Sequence, residues 1–490
     1  MAPPADRRRL GVWLAFVLGA VGVGAFAPLG WFPLLWAALA GLFLLLAEAR
    51  SPRRAFWLGW AFGCGHFLAG VSWIYVSLSV FGGMPPWVAG PATVLFCAVL
   101  ALYPALVAWI FRRWLPAAAW RQALSFAALW SLGEWLRGWL FTGFPWLAAG
   151  YSQAPPSPLA GYAPLLGVFG ISLLLAALAA GLALAWRHRR VAWLAPGVAL
   201  LALGYGLRGV AWTTPAGEPV SVALVQGNVP QEMKFVPEHF VRTLDLYYDL
   251  VEAHPARLTV LPETAVPAML EAVPPAYLAD LRRLAARRGG DLIFGVPTGD
   301  ARQYWNSAAT LGAAPMQVYS KTHLVPFGEF IPPGFAWFMA LADIPMSAFS
   351  RGPETQKPFA VAGRRVAANI CYEDAFGEEI IRSLPEAGIL VNLSNTAWFG
   401  RSLAQPQHLQ IARLRALETG RPMLRATNTG MTAVVAPDGA VTAALPPFTT
   451  GVLTAEVTAY EGMTPYARWG NGAFLLLAGG LLAAALIRRR

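Results

Sequence analysis

At 490 residues, with 57% apolar and only 13% charged, the chain is too long and too apolar for a single soluble domain, since soluble proteins carry roughly 25% charged residues. Its net charge of +11 does not mark a nucleic-acid binder, because that would need basic residues clustered on the water-facing part. Nearly all acidic residues fall between Glu218 and Glu461, interspersed there with basic ones, and the flanks are almost free of them.

A helix needs about 20 mostly apolar residues to span hydrocarbon. Seven such runs precede residue 210, at 10–27, 30–48, 55–80, 87–111, 117–136, 163–186 and 191–207, and an eighth covers 472–487. The first has the look of a signal peptide, with Arg7, Arg8 and Arg9 ahead of it and Ala25-Phe26-Ala27 placed like a cleavage site. Pro28 would hinder that cleavage and another apolar run follows at once, so a retained helix is expected. If the N-terminus is cytoplasmic, Arg7 to Arg9, Arg50, Arg53, Arg54, Arg112, Arg113, Arg121, Arg187, Arg189, Arg190 and Arg488 to Arg490 all collect on that side. The opposite short loops hold little beyond Arg137 and Arg208. This positive-inside bias predicts both termini in the cytoplasm and the segment between the seventh and eighth runs outside it. The expected organisation is a seven-helix domain over 1–210, a water-facing domain over 211–468 and a last span over 469–490.

In the water-facing segment, short β-branched runs alternate with helical patterns, which predicts an α/β sheet. The expected strands are Val220–Val225, Leu258–Leu261, Leu292–Val296, Ser307–Leu311, Gln317–Ser320, Val366–Ile370, Ile389–Leu393 and Met431–Ala436. Amphipathic patterns predict helices over 238–253, 276–288, 375–384 and 405–420. Pro326 to Gly334 reads as a loop, extended by apolar residues from Phe335 to Phe349.

Three polar residues stand just beyond strand ends, where functional groups gather in α/β sheets. Glu263 follows Val260-Leu261-Pro262, Lys321 follows Val318-Tyr319-Ser320, and Cys371 follows Ile370. A nucleophilic thiol needs a base or a nearby cation. Glu263 suits the base, and Lys321 suits the cation that stabilises an oxyanion, which is acyl transfer through a thioester. His323 is an alternative base, and spacing does not decide between the two. Of the other cysteines, Cys64 and Cys97 lie within apolar runs, where a thiol usually packs. No disulfide framework, zinc spacing or phosphate loop is present in the sequence, so no metal or cofactor is expected.

The strings Leu261-Pro262-Glu263-Thr264, Tyr319-Ser320-Lys321-Thr322-His323-Leu324-Val325-Pro326-Phe327-Gly328-Glu329 and Asn369-Ile370-Cys371-Tyr372-Glu373-Asp374 resemble the three signature segments of the carbon-nitrogen hydrolase (nitrilase) superfamily. From end to end the chain resembles that superfamily's membrane-bound branch, the apolipoprotein N-acyltransferases. Further matching strings are Gly70-Val71-Ser72-Trp73-Ile74-Tyr75, Gly143-Phe144-Pro145-Trp146, Gln226-Gly227-Asn228 and Asn395-Thr396-Ala397-Trp398-Phe399-Gly400. The resemblance implies a polytopic bundle of eight transmembrane helices plus a nitrilase-like α-β-β-α sandwich, in a bacterial inner membrane with the sandwich periplasmic. It implies transfer of an acyl chain from a phospholipid, typically phosphatidylethanolamine, onto Cys371 and then to the α-amine of the diacylglyceryl-cysteine that begins an apolipoprotein.

By motif, the resemblance makes Cys371 the nucleophile, Glu263 the base and Lys321 the oxyanion stabiliser. Glu329 matches a supporting carboxylate, Tyr372 and Glu373 match positions beside the nucleophile, and Trp398 matches an aromatic on an arm that admits lipid. Phe235 and Thr396 depart from the family pattern, which more often has Trp and Asp there. The aromatic loops Gly82 to Trp87 and Thr142 to Leu147, the latter carrying Trp146, are expected at the outer headgroup zone. Arg137 would meet a lipid phosphate or serve as a snorkelling anchor. Two rivals stand beside this reading: a membrane-tethered amidase, for which seven anchoring helices are excessive, and a transporter, for which Glu134 is the main polar candidate and a polar pathway is otherwise missing.

Overall fold

The computed structural model describes residues 4–234, 236–300, 302–334 and 348–487. Phe235, most of the apolar stretch Phe335 to Phe349, and Arg488 to Arg490 lie outside the described residues. The chain forms two compact units, one of Met1–Tyr75, Pro86–Val210 and Arg468–Arg490, the other of Val76–Pro85 and Ala211–Ala467.

The first unit is helical. Its helices are Pro4–Gly22, Pro33–Ala47, Pro52–Val71, Pro86–Leu100, Leu102–Arg113, Ala119–Arg137, Ala163–His188, Ala195–Leu207 and Gly472–Leu486. Pro52 at the first helical position and the Ser51 hydroxyl, which accepts the Arg54 N–H, start the third helix. Small residues set the packing: a Cβ on Gly19 would lie 2.0 Å from the Phe62 carbonyl, and one on Gly65 would lie 2.0 Å from that of Phe16. Only glycine lets these two backbones meet. The predicted run 55–80 breaks after Val71, and Ser77–Phe81 is a separate turn. Among the described residues, two helices are long and apolar enough to cross a membrane, Pro86–Arg113 and Pro158–His188, or three if Pro52–Val71 and Ile74–Phe81 form one span.

The second unit is built on two six-stranded sheets. Its strands are β1 Thr214–Gln226, β2 Leu258–Val260, β3 Asp291–Gly299, β4 Tyr304–Gly312, β5 Val318–Ser320, β6 Phe359–Val361, β7 Arg364–Ile370, β8 Ile389–Ser394, β9 Met423–Thr427, β10 Ala433–Val435, β11 Val441–Ala444 and β12 Gly451–Glu461. The sheet orders are β12-β1-β2-β3-β4-β5 and β11-β10-β9-β8-β7-β6. In each, three adjacent parallel strands form the centre, β1-β2-β3 and β7-β8-β9, with antiparallel strands outside.

Strand alternation sorts the two faces. Val220, Val222 and Leu224 join Val366, Ile370, Val391 and Leu424 in one core between the sheets. Val225, Leu292 and Phe294 turn the other way, onto Leu244 and Tyr247 of helix Pro237–Ala253 and Leu281 of helix Pro275–Ala286. Helix Ala404–Thr419 covers the other sheet through Leu409, Ala412 and Ala416. The layers are therefore α-β-β-α.

Four strands, β6, β9, β11 and β12, exceed the eight expected from the sequence. The helix predicted over 375–384 shrinks to Gly377–Ile380 with a further turn to Ser383. Phe376 sits at φ −110°, ψ 83°, outside helical space, and Pro385 bars extension at the other end.

Candidate active site

Glu263, Lys321 and Cys371 follow β2, β5 and β7, and the fold brings them to one buried cluster. Gly295 on β3 permits the tight turn at Glu263, since a Cβ there would lie 2.6 Å from the Glu263 Cα. Lys321 Nζ lies 3.5 Å from Glu263 Oε1 and 2.8 Å from Glu329 Oε1. Asn306 Nδ2 donates to the same two carboxylates at 2.7 and 2.8 Å. Glu263 Oε2 accepts the Asn395 N–H at 2.7 Å, and Glu329 Oε2 accepts that of Val325 at 2.8 Å.

Charge states follow from these contacts. Burial is the largest influence on Glu263 and pushes its carboxyl up, yet Lys321, Asn306, Lys234 and the Asn395 N–H together hold it below the usual range. Burial alone would lower Lys321, but Glu329 and Glu263 outweigh it and keep the ammonium charged well past the usual lysine range. Burial first, then the charge of Glu263, push the Cys371 thiol well up despite the pull of Lys321. The resting cluster thus holds a neutral thiol beside an ionised carboxylate.

Cys371 has a left-handed backbone, φ +53°, which a side-chain-bearing residue adopts only when its surroundings impose it. Two donors hold its carbonyl, Asn392 Nδ2 at 3.0 Å and His408 Nε2 at 3.2 Å. His408 Nε2 also lies 2.8 Å from Asp374 Oδ1, and since both partners accept, this nitrogen carries the hydrogen. Arg425 Nη1 donates to Asp374 Oδ2 at 3.0 Å and to Asn392 Oδ1 at 2.8 Å.

Residues 221–466 match the family described as carbon-nitrogen hydrolase, and residues 18–181 match the apolipoprotein N-acyltransferase N-terminal domain. The apolipoprotein N-acyltransferase of Nitrosomonas europaea is 50% identical, over 96% of this chain and 96% of its own. That of Ralstonia nicotianae is 49% identical, over 100% and 96% respectively. The chain belongs to the apolipoprotein N-acyltransferase family. Its family and its apolar helices make it a membrane-associated bacterial enzyme. Among solved structures, an amidase of the nitrilase superfamily from Nesterenkonia is 19% identical with a TM-score of 0.39, covering 52% of this chain and 95% of that one.

In this acyltransferase-family chain, His323 is held elsewhere: its Nδ1 lies 3.0 Å from Glu379 Oε1 and its ring stacks on Phe376 at 3.5 Å. Tyr372 is buried against the same Phe376 ring, 5.0 Å away. Glu373 accepts the N–H groups of Ile370, Thr322 and His323 and the Tyr319 hydroxyl. Trp398 is half-buried in the turn Thr396–Phe399, its carbonyl accepting the Ser77 hydroxyl at 2.8 Å and its ring edge-on to Phe81. Thr396 is fully buried with its hydroxyl 3.1 Å from that of Thr429.

Trp146 and Arg137 belong to the helical unit. Trp146 is buried against Trp73, with ring centres 5.2 Å apart. Arg137, expected at a lipid phosphate or as an anchor, is buried instead, donating to the carbonyls of Phe144 and Trp146 and lying over the Phe67 ring. The sequence reading did not anticipate Lys234, Asn306, Asn392 or His408. Asn395 and Asp374 lie within quoted strings, and those four residues sit in runs whose local pattern is ordinary.

Proposed function

We propose that this protein transfers an acyl chain from a phospholipid, through a Cys371 thioester, to the α-amine of the N-terminal diacylglyceryl-cysteine of apolipoproteins, the last step of lipoprotein maturation. The observation that carries the reading is the buried Glu263–Lys321–Cys371 cluster in a chain similar over nearly its whole length to apolipoprotein N-acyltransferases.

Glu263 takes the thiol proton as Cys371 Sγ attacks the ester carbonyl of the donor. Lys321 faces the oxyanion, and Glu263 returns the proton to the departing glycerol oxygen. The α-amine of the lipoprotein then attacks the thioester, Glu263 accepts its proton, and the thiolate leaves. Two features support Glu263 over His323 as the base: it contacts Lys321, and His323 is occupied by Glu379 and Phe376. Glu329 holds Lys321, Tyr372 and Glu373 fix the turn beside the nucleophile, and Trp398 and Trp146 belong to aromatic segments that admit lipid.

The reading includes eight membrane spans, with residues 1–210 as a seven-helix domain, 211–468 as a periplasmic catalytic domain and 469–490 as the last span. Each of the eight apolar runs being helical over much of its length supports this, as does the arginine bias of the short loops. The donor is expected to be phosphatidylethanolamine.

The test is intact mass after incubation with phospholipid alone. A single acyl adduct on Cys371, removable by hydroxylamine, is expected. A diacylated lipopeptide with a free α-amine discharges it, and the acetylated lipopeptide does not. Steady release of free fatty acid without any lipopeptide would make the protein a lipid hydrolase and overturn the assignment.

A further inference from the structure

Lys234 lies in the loop after β1, far in sequence from the residues it meets. It is buried, and its Nζ donates to the backbone carbonyl of Glu263 at 3.0 Å, its one hydrogen bond among the described residues. An ammonium has three donors, so a buried lysine with a single carbonyl partner is a positive charge whose compensation must come from nearby anions. The ionised Glu263 supplies that compensation at rest, and the Cys371 sulfur acts on the same ammonium whenever it carries charge. The other charged groups facing the cluster are Lys321 and Glu329 beyond β5, Arg425 on β9 with its partner Asp374, and Glu373 with its backbone donors.

The linked groups balance. Glu263 and Glu329 supply two negative charges, and Lys321 and Lys234 supply two positive ones. When the Cys371 S–H bond breaks, its proton passes to Glu263. The S–C bond forms, and the carbonyl π pair moves onto oxygen. Glu263 is now neutral and the oxyanion carries the negative charge, so the balance is unchanged. The proton on Glu263 then leaves with the departing oxygen as the C–O bond breaks. Without Lys234 the same sequence would run with one uncompensated negative charge in a buried site, and the oxyanion would meet Lys321 alone, already held by Glu329 at 2.8 Å.

We propose that Lys234 is a second ammonium of the reaction centre, which keeps the buried cluster neutral and stabilises the oxyanion together with Lys321. This rests on the acyl-transfer reading above. It also has a pH signature. Burial, the largest influence, pushes Lys234 down to about 8 against the pull of Glu263 and Cys371, whereas Lys321 is pushed up. Lys234 is therefore the ammonium that loses its proton first as pH rises.

The experiment is single-turnover acylation of Cys371 by phosphatidylethanolamine, followed by intact mass on the full-length protein across neutral and alkaline pH. Wild type is expected to slow above about pH 8. Lys234→Arg is expected to carry that alkaline limb upward by at least about one unit, since a guanidinium stays charged. Lys234→Met is expected to acylate about 10²-fold more slowly at neutral pH, the size of loss seen for one oxyanion donor, with an unchanged melting temperature. Coincident alkaline limbs for wild type and Lys234→Arg would overturn the proposal even if the Met variant does not fold. So would acylation of Lys234→Met within about threefold of wild type, far short of that expected loss. A wild type that never acquires an acyl group would instead defeat the acyl-transfer reading.

Discussion

Glu373 accepts the backbone N–H of Thr322 at 2.6 Å, and its second oxygen accepts that of Ile370 at 2.6 Å. One carboxylate therefore ties the turn that carries Lys321 to the turn that carries Cys371. Burial pushes this carboxyl up to about 7, even though the N–H groups of Ile370, His323 and Thr322 and the charge of Lys321 favour its ionised form. The ionised form accepts all these donors, so on the acid side acylation is expected to fall as pH drops through about 7, a limb separate from the alkaline one set by Lys234. Glu373→Gln puts an amide N–H where an acceptor is required. Losing two charge-assisted hydrogen bonds at about 1.5 kcal/mol each corresponds to a rate loss of roughly 10²-fold, with the inflection near neutrality gone. A pH–rate profile of the variant matching wild type would remove Glu373 from this role.

Cys371→Ala is expected to abolish both acyl-enzyme and transfer, whereas Cys64→Ala and Cys97→Ala keep turnover, because those two thiols only pack within the helical unit. Glu263→Gln is expected to lose about 10²–10⁴ in rate, and His323→Ala far less. The reversed ranking would reassign the base. Because Glu263 is held below the usual carboxylate range, its own protonation should not limit the rate until pH falls under about 4, the unperturbed glutamate value.

Much of this architecture is legible in the sequence because its signals are local. The buried stretch Leu292–Val296 of β3 reads as an unbroken apolar run, and the residue just beyond the end of such a run is visible in the sequence. Glu263, Lys321 and Cys371 announce themselves in that way. β9 does not, because Arg425 in its middle looks like a surface residue until Asp374 and Asn392 are placed beside it. Lys234 and Asn306 meet Glu263 from 29 and 43 residues away, and no periodicity encodes such a meeting. The helix predicted over 375–384 fails for a local reason, the extended Phe376, that an amphipathic pattern cannot register.

The pair Asp374–Arg425 is completely buried, with Nη1 to Oδ2 at 3.0 Å. Arg425→Met would leave Asp374 with His408 as its remaining side-chain partner among the described residues and deprive Asn392 Oδ1 of a donor. Breaking one side of a buried pair costs about 3–5 kcal/mol, so a clear drop in melting temperature is expected, with slower alkylation of Cys371 as its turn loosens. A variant as stable as wild type would show that the pair contributes nothing net.

In the helical unit, Glu134 and Arg137 occupy the last turn of helix Ala119–Arg137, spaced so that both side chains point along one face. Both bind backbone groups of the segment that follows. The Glu134 oxygens each lie 3.0 Å from the Ala149 N–H, and Oε1 also accepts Trp130 Nε1 at 3.0 Å. Arg137 Nη1 donates to the Trp146 carbonyl at 2.7 Å and to that of Phe144. Together they fasten residues 144–149, which have no regular structure of their own before Ala149 to satisfy those groups. Glu134→Gln replaces a two-oxygen acceptor by one oxygen and an N–H₂ group that cannot accept. Arg137→Lys replaces a planar fork by a single ammonium that cannot reproduce its geometry. Each is expected to raise hydrogen exchange at 146–149 by about tenfold, the equivalent of 1.4 kcal/mol in the opening equilibrium. The apparent KM for phospholipid is expected to rise with it, while discharge of preformed acyl-enzyme by lipopeptide stays near wild type. Exchange unchanged in both variants would mean the loop is held by packing of Trp146 and Leu147 alone. A slowed discharge with normal KM would place the loop on the acceptor's path rather than the donor's.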